Sequence, residues 1–320
     1  MIRARGLTKI FNTRRGREMI PVTTVDHIDL DVAEGEVIGF LGPNGAGKTT
    51  TLRMLTTLLQ PTSGEAKVAG HDISTNPREV RRRIGYVSQG GSTSSFARVG
   101  DEIVDHAMLY GLDAGTARVR AQELLERLDL PGVWTRTPRT LSGGQRRRLN
   151  LAMGLVHHPK LAFLDEPTAG LDPQARANLW SHIADMRRKH GMTVFLTTHY
   201  LEEADILSDR IVVLDHGRII ASDTPSNLKA QVPGDLVEIE LSNASDVSAT
   251  AERMTNLTGN DVEIDRLHVV GRVPHAGRAV PQLVRDLHEL RIDIASMEVR
   301  HPTLDDVFLT LTGRSLRDGE

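Results

Sequence analysis

Cysteine is absent from this sequence of 320 residues, and neither sign of charge is in large excess. Without cysteine, the chain can form no disulfide, no thiolate metal site and no cysteine nucleophile, and its composition suits a reducing compartment. Lys and Arg total 39 against 42 Asp and Glu, which gives a net charge of −3. The chain as a whole therefore does not carry the basic field that attracts nucleic acid.

Long apolar runs are missing as well. No stretch of the sequence approaches the roughly 20 apolar residues that a membrane-spanning helix needs, and residues 1–5 contain no apolar signal core. If the protein acts at a membrane, we expect another chain to span it. The composition, 39% hydrophobic and 25% charged, is that of an ordinary globular protein, and the length is enough for two domains.

A glycine-rich loop stands between a predicted strand and a predicted helix. Residues 36–41 form the apolar strand, and residues 50–59 carry leucines at helical spacing. The loop fits the phosphate-binding pattern G-x-x-x-x-G-K-[ST] in the context that this pattern requires. We predict that it binds a nucleoside triphosphate through Gly42, Pro43, Asn44, Gly45, Ala46, Gly47, Lys48, Thr49 and Thr50.

The chemistry of this loop follows from its backbone. Glycines allow a tight turn and a close approach to the ligand, and successive N–H groups form an anion-binding concavity. The following helix adds the positive end of its dipole. Lys48 can reach the β- and γ-phosphates, and the hydroxyl of Thr49 can bind Mg²⁺. The full motif disfavours the alternative, which is a plain glycine turn.

Polar residues follow two further predicted strands. Asp165 and Glu166 come directly after the apolar run 161–164, and His199 follows the run 192–198. At the carboxyl ends of parallel strands, Asp165 can hold Mg²⁺ and Glu166 can orient or deprotonate a water molecule. The alternatives are two surface carboxylates and a packed or solvated histidine.

Residues 141–145, with the sequence Leu-Ser-Gly-Gly-Gln, precede another helical pattern. Ser142 is a good N-cap residue. Gly143 and Gly144 leave backbone N–H groups accessible at the start of the helix. The segment is therefore either an ordinary capped helix or a second anion site.

Several segments give expectations about the fold. We expect strands over 2–7 and 25–32, a polar loop over 12–18 between them, and helices over 101–110 and 116–128. Phe11 stands just before the polar loop and is a candidate core aromatic.

Two segments are interpreted from composition. Residues 90–95 are rich in Gly, Ser and Thr, which predicts a mobile loop. The arginine runs 81–83 and 146–148 could contact phosphates, but we interpret them as solvated helix faces because the net charge of −3 argues against a nucleic-acid partner.

Together these motifs resemble the ATP-binding cassette of ABC transporters over residues 7–227. The resemblance implies an α/β fold of the P-loop NTPase class, with a mixed-sheet core, an antiparallel β subdomain and a helical subdomain. The motifs occur in the family's order: Walker A at 42–49, the Q-loop glutamine Gln89, the LSGGQ signature at 141–145, Walker B with its glutamate at 161–166, the D-loop at 169–172 and the switch histidine His199.

The resemblance also implies a homodimer that binds ATP and Mg²⁺ between two cassettes. Thr49, Gln89 and Asp165 would surround the metal, and Gln89, Glu166 and His199 would form the catalytic group. Glu166 would polarise the attacking water, and His199 would contact the γ-phosphate. The remaining contacts to ATP would come from Phe11, stacked on adenine, and from Ser142, Gly143, Gly144, Gln145 and Asp172.

Residues 231–320 begin with a predicted linker at Val232-Pro233-Gly234 and predict a small α+β domain. The pattern is strand 236–241, helix 247–257, strand or hairpin 262–273, helix 278–290 and strand 292–299, an order that suggests a ferredoxin-like unit. Thr303 and Asp306 predict a capping box at a last helix. The stretch Leu304 to Phe308, with Thr312-Gly313-Arg314, resembles the C-terminal end of daunorubicin-resistance-type exporter ATPases, in which the tail is associated with assembly and with the membrane subunit.

The leading hypothesis is an ATP-hydrolysing subunit of a bacterial ABC exporter, with its cassette over residues 1–230. We expect it to lie at the cytoplasmic face of the cell membrane, bound to a separate polytopic permease and not to nucleic acid, and to power efflux of an antibiotic or other hydrophobic compound. One alternative is a soluble ABC ATPase that acts on ribosomes or DNA. Another is a cassette that binds ATP without turnover, which the presence of Glu166 and His199 disfavours.

Overall fold

The computed structural model describes residues 1–15, 18–90, 93, 96–259 and 262–313. These residues divide between residues 225 and 226 into two compact units. The predicted domain limits, 1–230 and 231–320, stay a prediction because the second range reaches beyond the described residues. None of the described helices is long and apolar enough to cross a membrane.

Strands and helices are distributed through the first unit as follows. The strands are β1 (Ile2–Arg15), β2 (Glu18–Val32), β3 (Val37–Leu41), β4 (Ser63–Val68), β5 (His71–Asp72), β6 (Ile84–Val87), β7 (Leu161–Asp165), β8 (Thr193–Thr198), β9 (Arg210–Asp215) and β10 (Arg218–Asp223). The helices are α1 (Lys48–Leu55), α2 (Pro77–Arg83), α3 (Val99–Leu109), α4 (Ala114–Arg127), α5 (Gly143–Leu155), α6 (Pro173–His190), α7 (Leu201–Leu207) and, starting at the boundary, α8 (Pro225–Ala230).

A six-stranded sheet forms the middle of the first unit, in the order β10-β9-β3-β8-β7-β6. β9, β3, β8, β7 and β6 run parallel, and β10 pairs antiparallel with β9, so the sheet is mixed as predicted. Every residue of β3, β7 and β8 is buried, as expected when both faces of a parallel sheet are covered. The carboxyl ends of these three strands meet at one edge, which carries Gly42, Glu166 and His199.

A long hairpin forms most of a second, antiparallel sheet of order β2-β1-β4-β5. The prediction of a polar loop over 12–18 is wrong for residues 12–15 and 18, because β1 continues to Arg15 and β2 begins at Glu18; residues 16 and 17 lie outside the described residues. Cross-strand pairs, such as Phe11 with Val22, hold this extension together. Residues 11–14 and 18–23 are exposed, so the apolar alternation that marks a half-buried strand does not reach them.

A helical block formed by α3, α4 and α5 shares one apolar core with β7 and β8. The predicted helices over 101–110 and 116–128 are present as α3 and α4, and each begins two residues earlier than predicted. Asp113 caps α4 by accepting a hydrogen bond from the Thr116 N–H at 3.0 Å. The predicted mobile loop over 90–95 includes residues 91, 92, 94 and 95, which lie outside the described residues.

The second unit is an antiparallel sheet with helices. Its strands pair in the order β12-β13-β11-β14, which together with the chain order gives the β-α-β-β-α-β arrangement of ferredoxin-like folds. Its core combines alternate residues of one strand, Val237, Ile239 and Leu241, with Met254 and Leu283 from two helices. The elements are β11 (Asp235–Leu241), α9 (Val247–Thr258), β12 (Glu263–Asp265), β13 (His268–Val273), α10 (Ala276–Glu289), β14 (Ile294–Arg300) and α11 (Leu304–Thr312), the last with a Thr303–Asp306 capping box.

A half-buried histidine, His157, follows the end of α5 in the helical block. The His157 ring stacks on Tyr110, the residue after α3, with centroids 3.7 Å apart, and its Nε2 lies 2.9 Å from the carbonyl oxygen of Ile84. Burial lowers the pKa of His157 to about 4, and the nearby His106 and His158 contribute in the same direction. The folded state therefore favours the neutral ring, whereas the unfolded chain takes up a proton near pH 6.5.

We predict that this histidine makes the first unit less stable in acid. Between the unfolded and folded pKa values the unfolded state binds more protons, so the free energy of unfolding decreases as the pH falls, by about 2 kcal/mol from pH 7 to pH 5. Urea unfolding followed by the fluorescence of Trp134 and Trp180 measures this, since both lie in the first unit. In His157→Gln the loss should shrink to the part that His106 and His158 contribute; an undiminished loss would identify another group.

Candidate functional site

The phosphate-binding loop connects the end of β3 at Leu41 to the start of α1 at Lys48. Gly47 has a φ of 102°, which a residue with a side chain rarely adopts. A Cβ at Gly42 would clash with the carbonyl oxygen of Leu214, so glycine is needed there for space. α1 ends at Leu55, earlier than the predicted helix over 50–59.

Lys48 turns its side chain back into the loop. Its Nζ donates hydrogen bonds to the carbonyl oxygens of Gly42 at 2.6 Å and Pro43 at 3.0 Å. Only 5% of the residue is exposed. Burial lowers the pKa of the Lys48 ammonium, while the carboxylates of Glu166 and Asp165 act against that change. The loop thus holds a positive charge near Asp165, the last residue of β7, and Glu166, which follows it.

Asp165 joins the loop to the central sheet. Its Oδ1 accepts a hydrogen bond from the Thr49 hydroxyl at 3.1 Å and another from the Thr197 hydroxyl at 2.6 Å. The carboxylate is almost fully buried. Two of the three predicted metal ligands, Thr49 and Asp165, are therefore in direct contact.

The oxygen atoms at this point suit Mg²⁺. A hydroxyl and a carboxylate are hard ligands, and Mg²⁺ is usually held by one or two carboxylates with the remaining positions filled by phosphate and water. Within the described residues, no three His, Asp or Glu side chains are grouped to hold a metal alone. The site thus fits an ion that arrives with a nucleotide rather than one held in a protein cage.

Glu166 lies between the other two predicted catalytic residues. Its Oε2 accepts a hydrogen bond from Gln89 Nε2 at 2.8 Å, and its Oε1 lies 3.3 Å from His199 Nδ1. The backbone of Glu166 is left-handed, with a φ of 46°. Its N–H donates to the carbonyl oxygen of Thr197 at 3.0 Å and to the hydroxyl of the same residue at 3.1 Å.

The segment 141–145 forms the start of α5. Ser142 Oγ accepts a hydrogen bond from the Gln145 N–H at 3.2 Å, and Gln145 Oε1 accepts one from the Ser142 N–H at 3.1 Å, which makes a capping box. Ser142 and Gly143 are exposed. A capped helix is therefore present. The capping bonds use the N–H groups of Ser142 and Gln145, and those of Gly143 and Gly144 lie at the start of the helix, where an anion can bind.

The last two predicted contacts lie elsewhere on the first unit. Asp172 caps α6 by accepting a hydrogen bond from the Ala175 N–H at 2.9 Å. Phe11 is 38% exposed on the extended hairpin, with Lys9 Nζ 5.2 Å from the ring centroid. The interpretation of Phe11 as a core aromatic is wrong, because its strand projects beyond the core.

Comparison with known proteins decides the family. A family profile described as "ABC transporter" matches residues 25–169. Daunorubicin resistance ATP-binding protein DrrA3 of Streptomyces coeruleorubidus is 45% identical over 92% of each chain. This chain belongs to the ABC transporter family of ATP-binding proteins. As an ABC ATPase, it binds and hydrolyses ATP.

Other relatives of this ABC ATPase share nearly its whole length. Doxorubicin resistance ATP-binding protein DrrA of Mycobacterium tuberculosis is 40% identical over 91% of this chain and 89% of its own. Linearmycin resistance ATP-binding protein LnrL of Bacillus subtilis is 34% identical over 92% and 96%. Among solved structures, a dimeric ATP-binding cassette in a post-hydrolysis state with ADP and Pi has a TM-score of 0.64 at 25% identity, over 70% of this chain and 98% of that one.

Sequence reasoning missed two residues of the ABC cassette that support the site. Thr197 contacts both Asp165 and Glu166, and its signal is a hydroxyl near the carboxyl end of a predicted strand, two residues before His199. Arg147 was expected on a solvated helix face, which is wrong: only 6% of the residue is exposed. The helical period could have indicated its burial, since Arg147 lies four residues before the buried Leu151 and therefore on the same face of α5.

We predict that Lys48→Ala abolishes ATP binding. The substitution removes the one buried ammonium that the loop holds near the acidic residues, and with it the attraction for the β- and γ-phosphates. Binding of a fluorescent ATP analogue to the purified chain measures the effect. Lys67→Ala, at an exposed position on β4, is the matched control and should bind normally; unchanged affinity in Lys48→Ala would contradict the assignment.

Proposed function

We propose that this ABC ATPase powers efflux of an antibiotic or another hydrophobic compound through separate membrane subunits. The observation that carries the proposal is the contact of Gln89 and Glu166 beside a complete phosphate-binding loop. The named relatives support the direction and the class of cargo, since each is called an ATP-binding protein of resistance to daunorubicin, doxorubicin or linearmycin.

In the proposed hydrolysis, Glu166 orients the attacking water and accepts its proton. The water oxygen forms a bond to the γ-phosphorus as the bond from that phosphorus to the bridging oxygen breaks, which leaves ADP and inorganic phosphate. Gln89 holds one oxygen of the carboxylate, and His199 stands beside the other, within reach of the γ-phosphate. Lys48 supplies positive charge where the transferred phosphoryl group bears negative charge.

The residues that would hold Mg²⁺ are Thr49, Gln89 and Asp165. When bound, the ion would neutralise charge on the β- and γ-phosphate oxygens. The contact between Thr49 and Asp165 supports this assignment, because it brings two oxygen ligands together on the side of the loop that faces β7.

We further propose that the functional unit is a homodimer. At the helix start formed by Ser142, Gly143, Gly144 and Gln145, the N–H groups of Gly143 and Gly144 lie outside the capping bonds, and an anionic phosphate of ATP bound to the other copy suits them. The exposed ring of Phe11 offers a face on which adenine can stack. Asp172 would reach the shared interface from the start of α6.

The partner of the homodimer is proposed to be a polytopic permease in another chain, with the ATPase at the cytoplasmic face of the membrane. The finding that no described helix can span a bilayer agrees with a separate membrane subunit. Residues 231–320 are proposed as an assembly or regulatory domain. A soluble ABC ATPase that acts on ribosomes or DNA is the second candidate, and the net charge of −3 counts against it.

We predict that Glu166→Gln retains ATP binding and slows hydrolysis by about 100-fold or more, since it removes the proton acceptor. The ATP-bound dimer should then accumulate. Size-exclusion chromatography with light scattering, in the presence of Mg-ATP, would detect it. Glu126→Gln, at an exposed position on α4, is the control and should turn over ATP normally. Normal turnover in Glu166→Gln would exclude Glu166 as the proton acceptor.

The transport proposal is tested by identifying what binds the trapped protein. Tagged Glu166→Gln would be purified with Mg-ATP from gently solubilised native cells, and the co-purifying chains identified by mass spectrometry. We expect a polytopic membrane protein in stoichiometric amount. Ribosomal or DNA-associated proteins without a membrane chain would overturn the transport proposal and favour the soluble alternative.

A further inference from the structure

A buried arginine lies between the ends of two neighbouring strands. β6 and β7 pair in parallel as far as Val87 and Leu164. Beyond that pair, the guanidinium of Arg147 extends from α5 and lies between the two backbone segments that continue from β6 and β7. The residue is 6% exposed, so its charge is held within the protein rather than in water.

The guanidinium has five N–H groups, and five backbone carbonyl oxygens accept from it. Two acceptors follow β6 and three lie at the end of β7. Nη1 donates to Ser88 at 2.7 Å and Gln89 at 3.0 Å, Nη2 to Asp165 at 2.9 Å and Glu166 at 2.6 Å, and Nε to Pro167 at 2.5 Å. One side chain thus provides hydrogen-bond donors for backbone carbonyl oxygens of both segments, at the point where the pairing of β6 with β7 ends.

The backbone that Arg147 holds at Glu166 is a strained one. A left-handed residue other than glycine costs about 1–3 kcal/mol and persists where its surroundings enforce it. The carbonyl groups of Asp165, Glu166 and Pro167 all bond to the same guanidinium, so the turn is fixed on both sides of the strained residue. The Glu166 carboxylate is thereby aimed at Gln89.

The segment after β6, which Arg147 also contacts, contains Gln89 itself. The guanidinium bonds to the backbone carbonyl of Gln89, while the side-chain amide of Gln89 donates to Glu166. Two residues whose side chains meet at the site are therefore fixed through their backbones by one planar group. No single ammonium could make this set of contacts, because five donors in a rigid fork are specific to arginine.

We propose that Arg147 is a positioning residue for ATP hydrolysis that fixes the backbones of Gln89 and Glu166 so that their side chains meet. This inference rests on the proposed roles of those two residues. Arg147 also lies one helical turn from Gly143, at the exposed start of α5.

The test compares kcat for ATP with the Kd for ATP in the purified full-length chain. Arg147→Met should lower kcat by about 100-fold, because small misplacements of reacting groups cost that much. The affinity for ATP should stay within about threefold, since the loop around Lys48 is untouched. Arg147→Lys should recover part of kcat without a change in affinity. Arg82→Met, in the middle of the other arginine run and exposed on α2, should match the wild type.

Each outcome decides the matter. A normal kcat in Arg147→Met, or parallel loss of kcat and ATP affinity, would overturn the positioning role; the second result would indicate a merely structural residue. If Arg147→Met does not fold, Arg147→Lys decides, because full kcat in that variant would show that the fork of five bonds is dispensable. Absence of hydrolysis in the wild-type chain would instead defeat the proposed function, and this inference with it.

Discussion

The buried carboxylate of Asp165 is the constraint on which the rest of the site depends. A buried charge is costly unless it is hydrogen-bonded, and here hydroxyls from two different elements, Thr49 of α1 and Thr197 of β8, meet on one of its oxygens. Because those bonds must form, the helix that follows the phosphate-binding loop is fixed against β7 and β8. The loop therefore takes its position relative to the acidic residues before any ligand is bound.

From that point the polar network extends along the carboxyl edge of the sheet. The Thr197 hydroxyl accepts a hydrogen bond from the backbone N–H of Glu166, and the Glu166 carboxylate accepts one from Gln89. The Arg147 guanidinium donates to the backbone carbonyl oxygens of both Gln89 and Glu166. A fully bonded buried network is rigid, whereas one unbonded member destabilises it. The apolar strands beneath, buried over their whole length, supply the stable base that such a network needs.

Features that depend on a few neighbouring residues could be predicted from the sequence. The loop at 42–49, the apolar strands and the strand–helix order of the second unit all have local signals in spacing and composition. The extension of β1 and β2 to Arg15 and Glu18 could not be predicted this way, because backbone pairing between exposed residues leaves no apolar pattern. Arg147 was misjudged for a related reason: an arginine bonded only to carbonyl oxygens has no acidic partner in the sequence to reveal it.

The left-handed backbone of Glu166 sets stability and chemistry against each other at one residue. Glycine would adopt this conformation without strain and asparagine with less, yet neither carries the carboxylate that faces Gln89 and His199. A search for more thermostable forms of this protein would thus tend to select replacements at this position, and with Glu166 in its proposed role as proton acceptor the molecules it favoured would be the ones that had lost turnover. The strained backbone at Glu166 therefore marks a position where the side chain matters more than local stability.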